Sequence, residues 1–434
     1  MKNLFFLLLK FEKNIIIKLR LVIMRKYRII TILLLIISLN TNVFAKEKPY
    51  EVQLAKIGKD GLVTELPTSS VSDDLNVEEI AETLPPVYDA RNDGIISSVK
   101  NQGSHGICWS FSTGSLTETY FKKFRNKTID YSEIQQALRL TDKGLGLDSN
   151  GNAYWRKYYS GGTWNWSTGM LINFGIKEES NKFPFYPSDT TYFERNGYTK
   201  ADLDSVPTIG MLDGAYILSL NEAAGGCNSS SITLLKNLIY QYGSVGINIY
   251  WQSGYFNSTY NEFNNTSSGN SINHAVTAVG WDDTKSAFLI KNSWGPSSQD
   301  AGYFWVKYTS KDLCNSVLAI TSIDDTYTAS FNNYHYYNIN GNASISHPSL
   351  NKTVTVGEKY TKKNNGRKEM FKKVIFYANA DTDINIYINT TGNINDTANT
   401  VKITNSTIHI DYTGFYNVEV PNNLVLTGNN FITY

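Results

Sequence analysis

The sequence predicts an α+β fold in which a helical half faces a sheet-rich half, with an all-β region after both. Three observations carry this reading. Phe111, Leu116, Tyr120, Phe121 and Phe124 recur near helical spacing, which starts a helix at Cys108, and residues 234–242 read as a second helix. After Gly243 the texture changes: residues 244–250 alternate as a strand does, and 274–281 and 287–291 are also strand-like. From about Thr326 the helical signal ends, and alternating runs such as 373–377 and 384–388, spaced by turn residues, suggest a β-sandwich of roughly eight strands.

Taken from the N-terminus, Met24-Arg25-Lys26-Tyr27-Arg28 is a basic stretch, residues 29–39 are apolar, and Val43-Phe44-Ala45 resembles a small-residue cleavage site. Together they read as a secretory signal. Lys10, Lys13, Lys18 and Arg20 interrupt the apolar pieces upstream, so translation is expected to begin at Met24. The apolar core is too short to span a bilayer comfortably, so the processed protein should not stay inserted in a membrane; an uncleaved anchored form is the alternative. Residues 46–84 are polar, with acidic patches, and read as a leader or short pro-segment before Pro85-Pro86 opens an ordered region.

At 434 residues, 41% hydrophobic and 13% aromatic, the chain can fill the cores of two or three domains and is not disordered. Forty basic residues against thirty-nine acidic ones give a net charge of +1, which offers no global field for nucleic acid. Of three cysteines, Cys108 is expected to stay free, and Cys227 and Cys314 form either a disulfide or two buried thiols.

The chemistry concentrates in three distant stretches: Asn101-Gln102-Gly103-Ser104-His105-Gly106-Ile107-Cys108-Trp109, Asn273-His274-Ala275-Val276 and Lys291-Asn292-Ser293-Trp294-Gly295. A thiol attacks a carbonyl as the thiolate, and a cysteine at the first turn of a helix sits at the positive end of the macrodipole. His274 supplies an imidazole to take and return the proton. The Asn292 side-chain oxygen would hold the ring's second nitrogen, with Trp294 covering that bond from water. The Gln102 amide and the Cys108 backbone N–H suit an oxyanion.

These motifs resemble the papain family of cysteine peptidases. The matching pieces run from Val87-Tyr88-Asp89-Ala90-Arg91 through Gln102-Gly103 and Cys108-Trp109 to Gly161-Gly162, His274, Asn292-Ser293-Trp294-Gly295 and Gly302-Tyr303-Phe304. The resemblance implies a two-lobed papain-like peptidase fold over 85–325, with Cys108 and His274 on opposite walls of a cleft that takes a protein or peptide substrate without a catalytic cofactor. Gly161 and Gly162 would then offer backbone groups to an extended substrate, and Thr163, Trp164, Val245 and Asn273 would border it. The chain departs from the family in carrying His105 three residues before the nucleophile and Tyr159 or Ser160 before Gly161, where a cysteine pair is usual. His105 shares the nucleophile's loop, which favours a structural role over that of the base.

Residues 326–434 resemble the lectin-like β-sandwich domain that follows the peptidase in clostridial surface-layer cysteine proteases. That likeness implies a secreted or cell-surface protein that processes surface proteins and contacts the cell envelope through its tail. It also raises a structural calcium ion near Asp381 and Asp383, although two carboxylates fall short of the six to eight oxygens calcium takes, and an ordinary polar turn is favoured. His335, His347 and His409 lack metal-ligand spacing, and no metal site is expected from them. The competing reading is a secreted envelope-binding protein or adhesin that keeps an inactive peptidase-like scaffold.

Overall fold

The computed structural model describes residues 56–57, 63–65, 84–141, 157–220, 225–267, 269, 271–326, 358–361, 369–393, 395–426 and 430–433. The signal-like segment 1–45, most of the leader, His335 and His347 lie outside the described residues. Of the chain's two compact units, the described elements fall in the one comprising Leu54–Ser346 and Thr353–Tyr434, and the other, Met1–Gln53 with His347–Lys352, lies outside them.

Helix α1 (Cys108–Arg125) is the axis of the first lobe. Every residue from Cys108 to Phe121 is buried, so it is enclosed on all faces and not on the single stripe that the apolar spacing suggests. Three of its buried hydroxyls are satisfied locally, Thr113, Thr117 and Thr119 each donating to the carbonyl four residues back at 2.8 Å, while Ser110 and Ser112 donate to the Glu133 and Val276 carbonyls. Lys122, Lys123 and Arg125 complement the negative end of the helix, which stops at left-handed Asn126. Around α1 pack α2 (Glu133–Arg139) and α3 (Trp164–Asn173), sharing one apolar core with Phe111, Leu116 and Phe121.

The second lobe is built on an eleven-stranded sheet. Its central strands are β2 (Met211–Leu218), β3 (Val245–Ile249), β4 (His274–Asp282), β5 (Ala287–Lys291), β6 (Tyr303–Lys307) and β7 (Val317–Asp324), in the order β2-β7-β3-β4-β5-β6, and β1 (Val87–Asp89) pairs with β4. The expected helix over 234–242 begins earlier, at Ser229, because the Asn228 side chain accepts from the Ser231 N–H at 2.7 Å; it forms α4 (Ser229–Tyr242), closed by Gly243 at φ +88°. Cys227 and Cys314 form a disulfide, with α-carbons 5.4 Å apart.

The tail contributes eight strands among the described residues, and two of them continue the peptidase-side sheet. β8 (Glu369–Ala378) pairs with β9 (Gly414–Leu426), and β9 pairs with β2 through Gly414 opposite Tyr216 and Phe415 opposite Ala215. Gly414 is required there, because a Cβ would lie 2.1 Å from the Ala215 carbonyl. The alternating run 384–388 is two strands, Thr382–Ile384 and Tyr387–Asn389, which join different sheets.

Asp383 Oδ1 accepts a hydrogen bond from His409 Nδ1 at 2.8 Å, and Asp381 sits at a left-handed turn position, φ +56°. Two carboxylates fall short of the six to eight oxygens calcium takes, so these residues do not by themselves fit that ion. Among the described residues no group of three or more His, Cys, Asp or Glu side chains is placed to hold a metal, and no helix is long and apolar enough to cross a membrane.

Candidate active site

Cys108 is the first residue of α1 and a free cysteine, 9% exposed. Ile107 before it is not helical and supplies no side-chain cap, so the opening amides of the helix have no intrahelical partner. His274 opens β4 across the cleft. The backbone amides of Ala275, Trp109 and Cys108 itself surround the sulfur and favour its anion, which places the sulfur beside the residue that follows His274.

The imidazole Nε2 lies 2.9 Å from Asn292 Oδ1. Asn292 Nδ2 donates to Gln299 Oε1 at 3.2 Å, and Oδ1 also accepts from the Ser293 N–H at 2.8 Å, so the amide is oriented with its oxygen toward the ring. The proton therefore belongs on Nε2, leaving Nδ1 as the base nitrogen. Trp294 stacks on the ring at 4.6 Å with planes 13° apart, and Trp251 closes the far side of Trp294 edge-on at 4.8 Å.

Burial dominates the electrostatics. It pushes the Cys108 thiol up against the pull of the three amides, and it pushes His274 down to about 4 against the hydrogen bond to Asn292. The helix start alone suggests a thiolate; desolvation, which cannot be read from spacing, favours thiol and neutral imidazole.

Gln102 is held from three sides. Its backbone N–H donates to Ser293 O at 2.7 Å, its Oε1 accepts from Ser293 Oγ at 2.6 Å, and its Nε2 donates to His105 O at 2.8 Å. Ser293 thus joins the Gln102 amide to Asn292, a role with no signal in the sequence beyond its place between two functional residues. Gly162 lies against the Trp109 ring, where a Cβ would come within 2.5 Å, and Trp109 Nε1 donates to Ser160 O; Gly161 is open. Asn273 is exposed and grips the Trp251 backbone in both directions, at 2.7 and 3.0 Å. Trp164 is 3% exposed, its ring against Gly246, so it presents almost no surface to a ligand.

Behind the site, a polar cavity between α1, β4 and β5 is lined by Ser112, Ser115, Glu118, Thr277, Lys291 and Ser293, among others. Lys100 binds Glu118 at 2.8 Å, Asp130 at 2.6 Å and Glu133 at 3.0 Å, and Lys291 donates to Ser97 and Ser115. Burial raises Glu133 to about 8 despite Lys100 and lowers Lys291 to about 8. Glu118 and Glu133 stand outside the sequence motifs, whereas Lys291 opens the stretch that carries Asn292.

A cysteine, an oriented imidazole and a restrained carboxamide at a helix start can perform nucleophilic acyl transfer. Comparison with known proteins agrees. The profile of the family described as "Papain family cysteine protease" matches residues 84–323, and the chain belongs to that family. It is 31% identical over 238 residues to Cysteine proteinase 2 of Zea mays, covering 54% of this chain and 58% of that protein. It is 30% identical over 282 residues to the thiol protease aleurain of Arabidopsis thaliana, covering 64% of this chain and 69% of that one. The chain therefore spans little more than half the length of the maize relative. Its fold is similar to that of the clostridial cysteine protease Cwp84 after propeptide cleavage, with TM-score 0.57, 23% identity and coverage of 80% of this chain and 83% of the other. A structure of the cysteine protease and lectin-like domains of Cwp84, a surface layer associated protein of Clostridium difficile, gives TM-score 0.61 and 20% identity over 90% of this chain and 85% of that one.

Proposed function

We propose that the chain is a secreted cysteine endopeptidase working through Cys108, His274 and Asn292. The observation that supports this is the Asn292 amide, oriented by Gln299 and Ser293 so that it holds His274 Nε2 and leaves Nδ1 as the ring nitrogen for the Cys108 proton. The thiol proton passes to Nδ1 as sulfur attacks the carbonyl carbon. The oxyanion is received by the Cys108 N–H and the second hydrogen of Gln102 Nε2. Collapse expels the amine, which takes the proton from His274, and water activated by the same ring hydrolyses the thioester. Gly161 and Gly162 offer the extended substrate a backbone edge, Asn273 stands at the rim, and Trp164 supports the wall from inside.

An epoxide peptide inhibitor should label native protein stoichiometrically at Cys108, and Cys108→Ala should abolish labelling and peptide cleavage together. Gln102→Ala should retain labelling but lose about a hundredfold in kcat. Native protein that ignores the reagent once any leader is removed would instead be an envelope-binding scaffold or adhesin.

The reading extends to domains and location: a leader over 46–84, a peptidase over 85–325 and a lectin-like domain over 326–434 that contacts the cell envelope. The signal-like segment 24–45, the disulfide and the likeness to a surface-layer-associated protein support export and action on surface proteins. Fractionation of the producing cell, with recovery in the cytoplasm, would overturn it.

A further inference from the structure

The loop before the nucleophile is wedged between two other segments. The Ser104 N–H donates to Pro187 O at 2.9 Å and the Gly106 N–H to Tyr159 O at 2.7 Å. There is no spare room: a Cβ on Gly103 would lie 1.9 Å from Pro187 O, and one on Gly106 2.8 Å from Tyr159 O. Between these glycine contacts stands His105, 2% exposed, its ring centroid 4.9 Å from Phe185 and 6.1 Å from Tyr158. Phe185 in turn lies 5.3 Å from Phe111, one turn beyond Cys108 on α1. The His105 carbonyl accepts the Gln102 Nε2–H at 2.8 Å, and its N–H donates back to Gln102 O at 3.2 Å. His105 Nδ1 is buried with no hydrogen-bond partner, while the ring also interacts with the Gln102 and Pro187 backbone.

We propose that His105 is a positioning residue for the oxyanion-stabilising amide: its ring, locked between Phe185 and Tyr158, fixes the carbonyl that pins Gln102. This rests on the assignment of Gln102 as the oxyanion donor. The ring's outline does the positioning, and a phenyl ring in the same place, without the imidazole's interactions with the Gln102 and Pro187 backbone, tests shape against polarity.

The test is a double-mutant cycle on the full chain with a peptide substrate, following thermal unfolding and Cys108 labelling alongside kinetics. His105→Ala should lower kcat tenfold or more with KM within twofold. In a Gln102→Ala background it should cost less than twofold. His105→Phe should restore kcat to within twofold of the wild type. If His105→Ala does not fold, His105→Leu takes its place in the cycle. An equal loss with and without Gln102, a loss confined to KM, or a Phe variant as poor as the Ala variant overturns the proposal while leaving the Gln102 effect standing. If Gln102→Ala alone leaves kcat unchanged, the oxyanion assignment fails too.

Discussion

Two regions of this molecule bury a lysine among three carboxylates, and they use it differently. Behind the active site, Lys100 meets Glu118 and Glu133, each 3% exposed, and the outer Asp130. Glu118 is also bound by the Ser97 hydroxyl at 2.5 Å and the Tyr131 N–H at 3.0 Å. Where the tail joins the second lobe, Lys373 on β8 meets Asp213 on β2 at 3.0 Å, Asp324 at the end of β7 at 3.1 Å and Glu419 on β9 at 3.0 Å. There the inner carboxylates keep 11% and 15% exposure, so water reaches the cluster's edge. The first cluster keeps its two glutamates dry, although Lys100 itself is 23% exposed, and it is tied to the backbone segments that present Gln102 and Cys108; the second, whose Lys373 is 10% exposed, records the register of β9 against β2. One arrangement fixes a site, the other joins two parts of the chain.

The largest effect that separates them should come from Glu118→Ala. It removes the best-satisfied anion and leaves Lys100 and Lys291 without it, at a cost of about 3–5 kcal/mol, and activity should fall with stability in a denaturant melt. Lys373→Met leaves Asp213 and Asp324 facing each other at the junction. Because the cluster is partly wet, the cost should be about 2 kcal/mol, with kcat unchanged in the surviving folded enzyme. A large loss of kcat in Lys373→Met would show that the junction reaches the site and would erase the contrast.

The third separation is by pH. Glu133, raised to about 8 from an ordinary 4.5, binds a proton in the folded chain that the unfolded chain has released, so its contribution is full below 4.5 and is lost as pH rises toward 8. His274, lowered to about 4 from 6.5, has the opposite sign and acts below 6.5. The clean window is therefore about pH 6.5–8, where wild-type stability should decline and Glu133→Gln should flatten the curve. Asp213 is also raised by burial, but Lys373 opposes the shift, so Asp213→Asn should alter the curve only on the acid side. A Glu133→Gln curve parallel to the wild type between those limits would mean the core carboxyl is ionised.

The contrast also explains what was legible in the sequence. The start of α1 at Cys108 and the strand-like run Ala287–Lys291 follow from local patterns. The three stretches bearing Cys108, His274 and Asn292 carry their residues in motifs, so the peptidase class could be read before the geometry. Glu118 could not: apolar spacing marks one face of α1, whereas the helix is enclosed all round and takes its polar partners from Lys100 and Tyr131, distant in sequence. The same limit hides Trp164, whose burial depends on Gly246, and the split of residues 384–388, whose alternation continues through a change of sheet. Whether Cys227 and Cys314 meet across 87 residues was likewise a question of tertiary distance.

The smallest effects test whether the two clusters share the same outer layer. Asp130 is 63% exposed and Glu419 70%, so each reaches its lysine from solvent. Such pairs contribute about 0–1 kcal/mol and are screened as the Debye length shrinks from about 10 Å at 0.1 M salt to about 3 Å at 1 M. Asp130→Asn and Glu419→Gln should each cost under about 1 kcal/mol at low salt and almost nothing at 1 M, in chemical denaturation with urea at fixed pH. Glu118→Ala should keep most of its cost at both salt concentrations, since Glu118 is only 3% exposed. If the Asp130→Asn cost persists at 1 M salt, Asp130 belongs to the dry interior, and the boundary between a site-fixing core and a solvated rim must be drawn outside it.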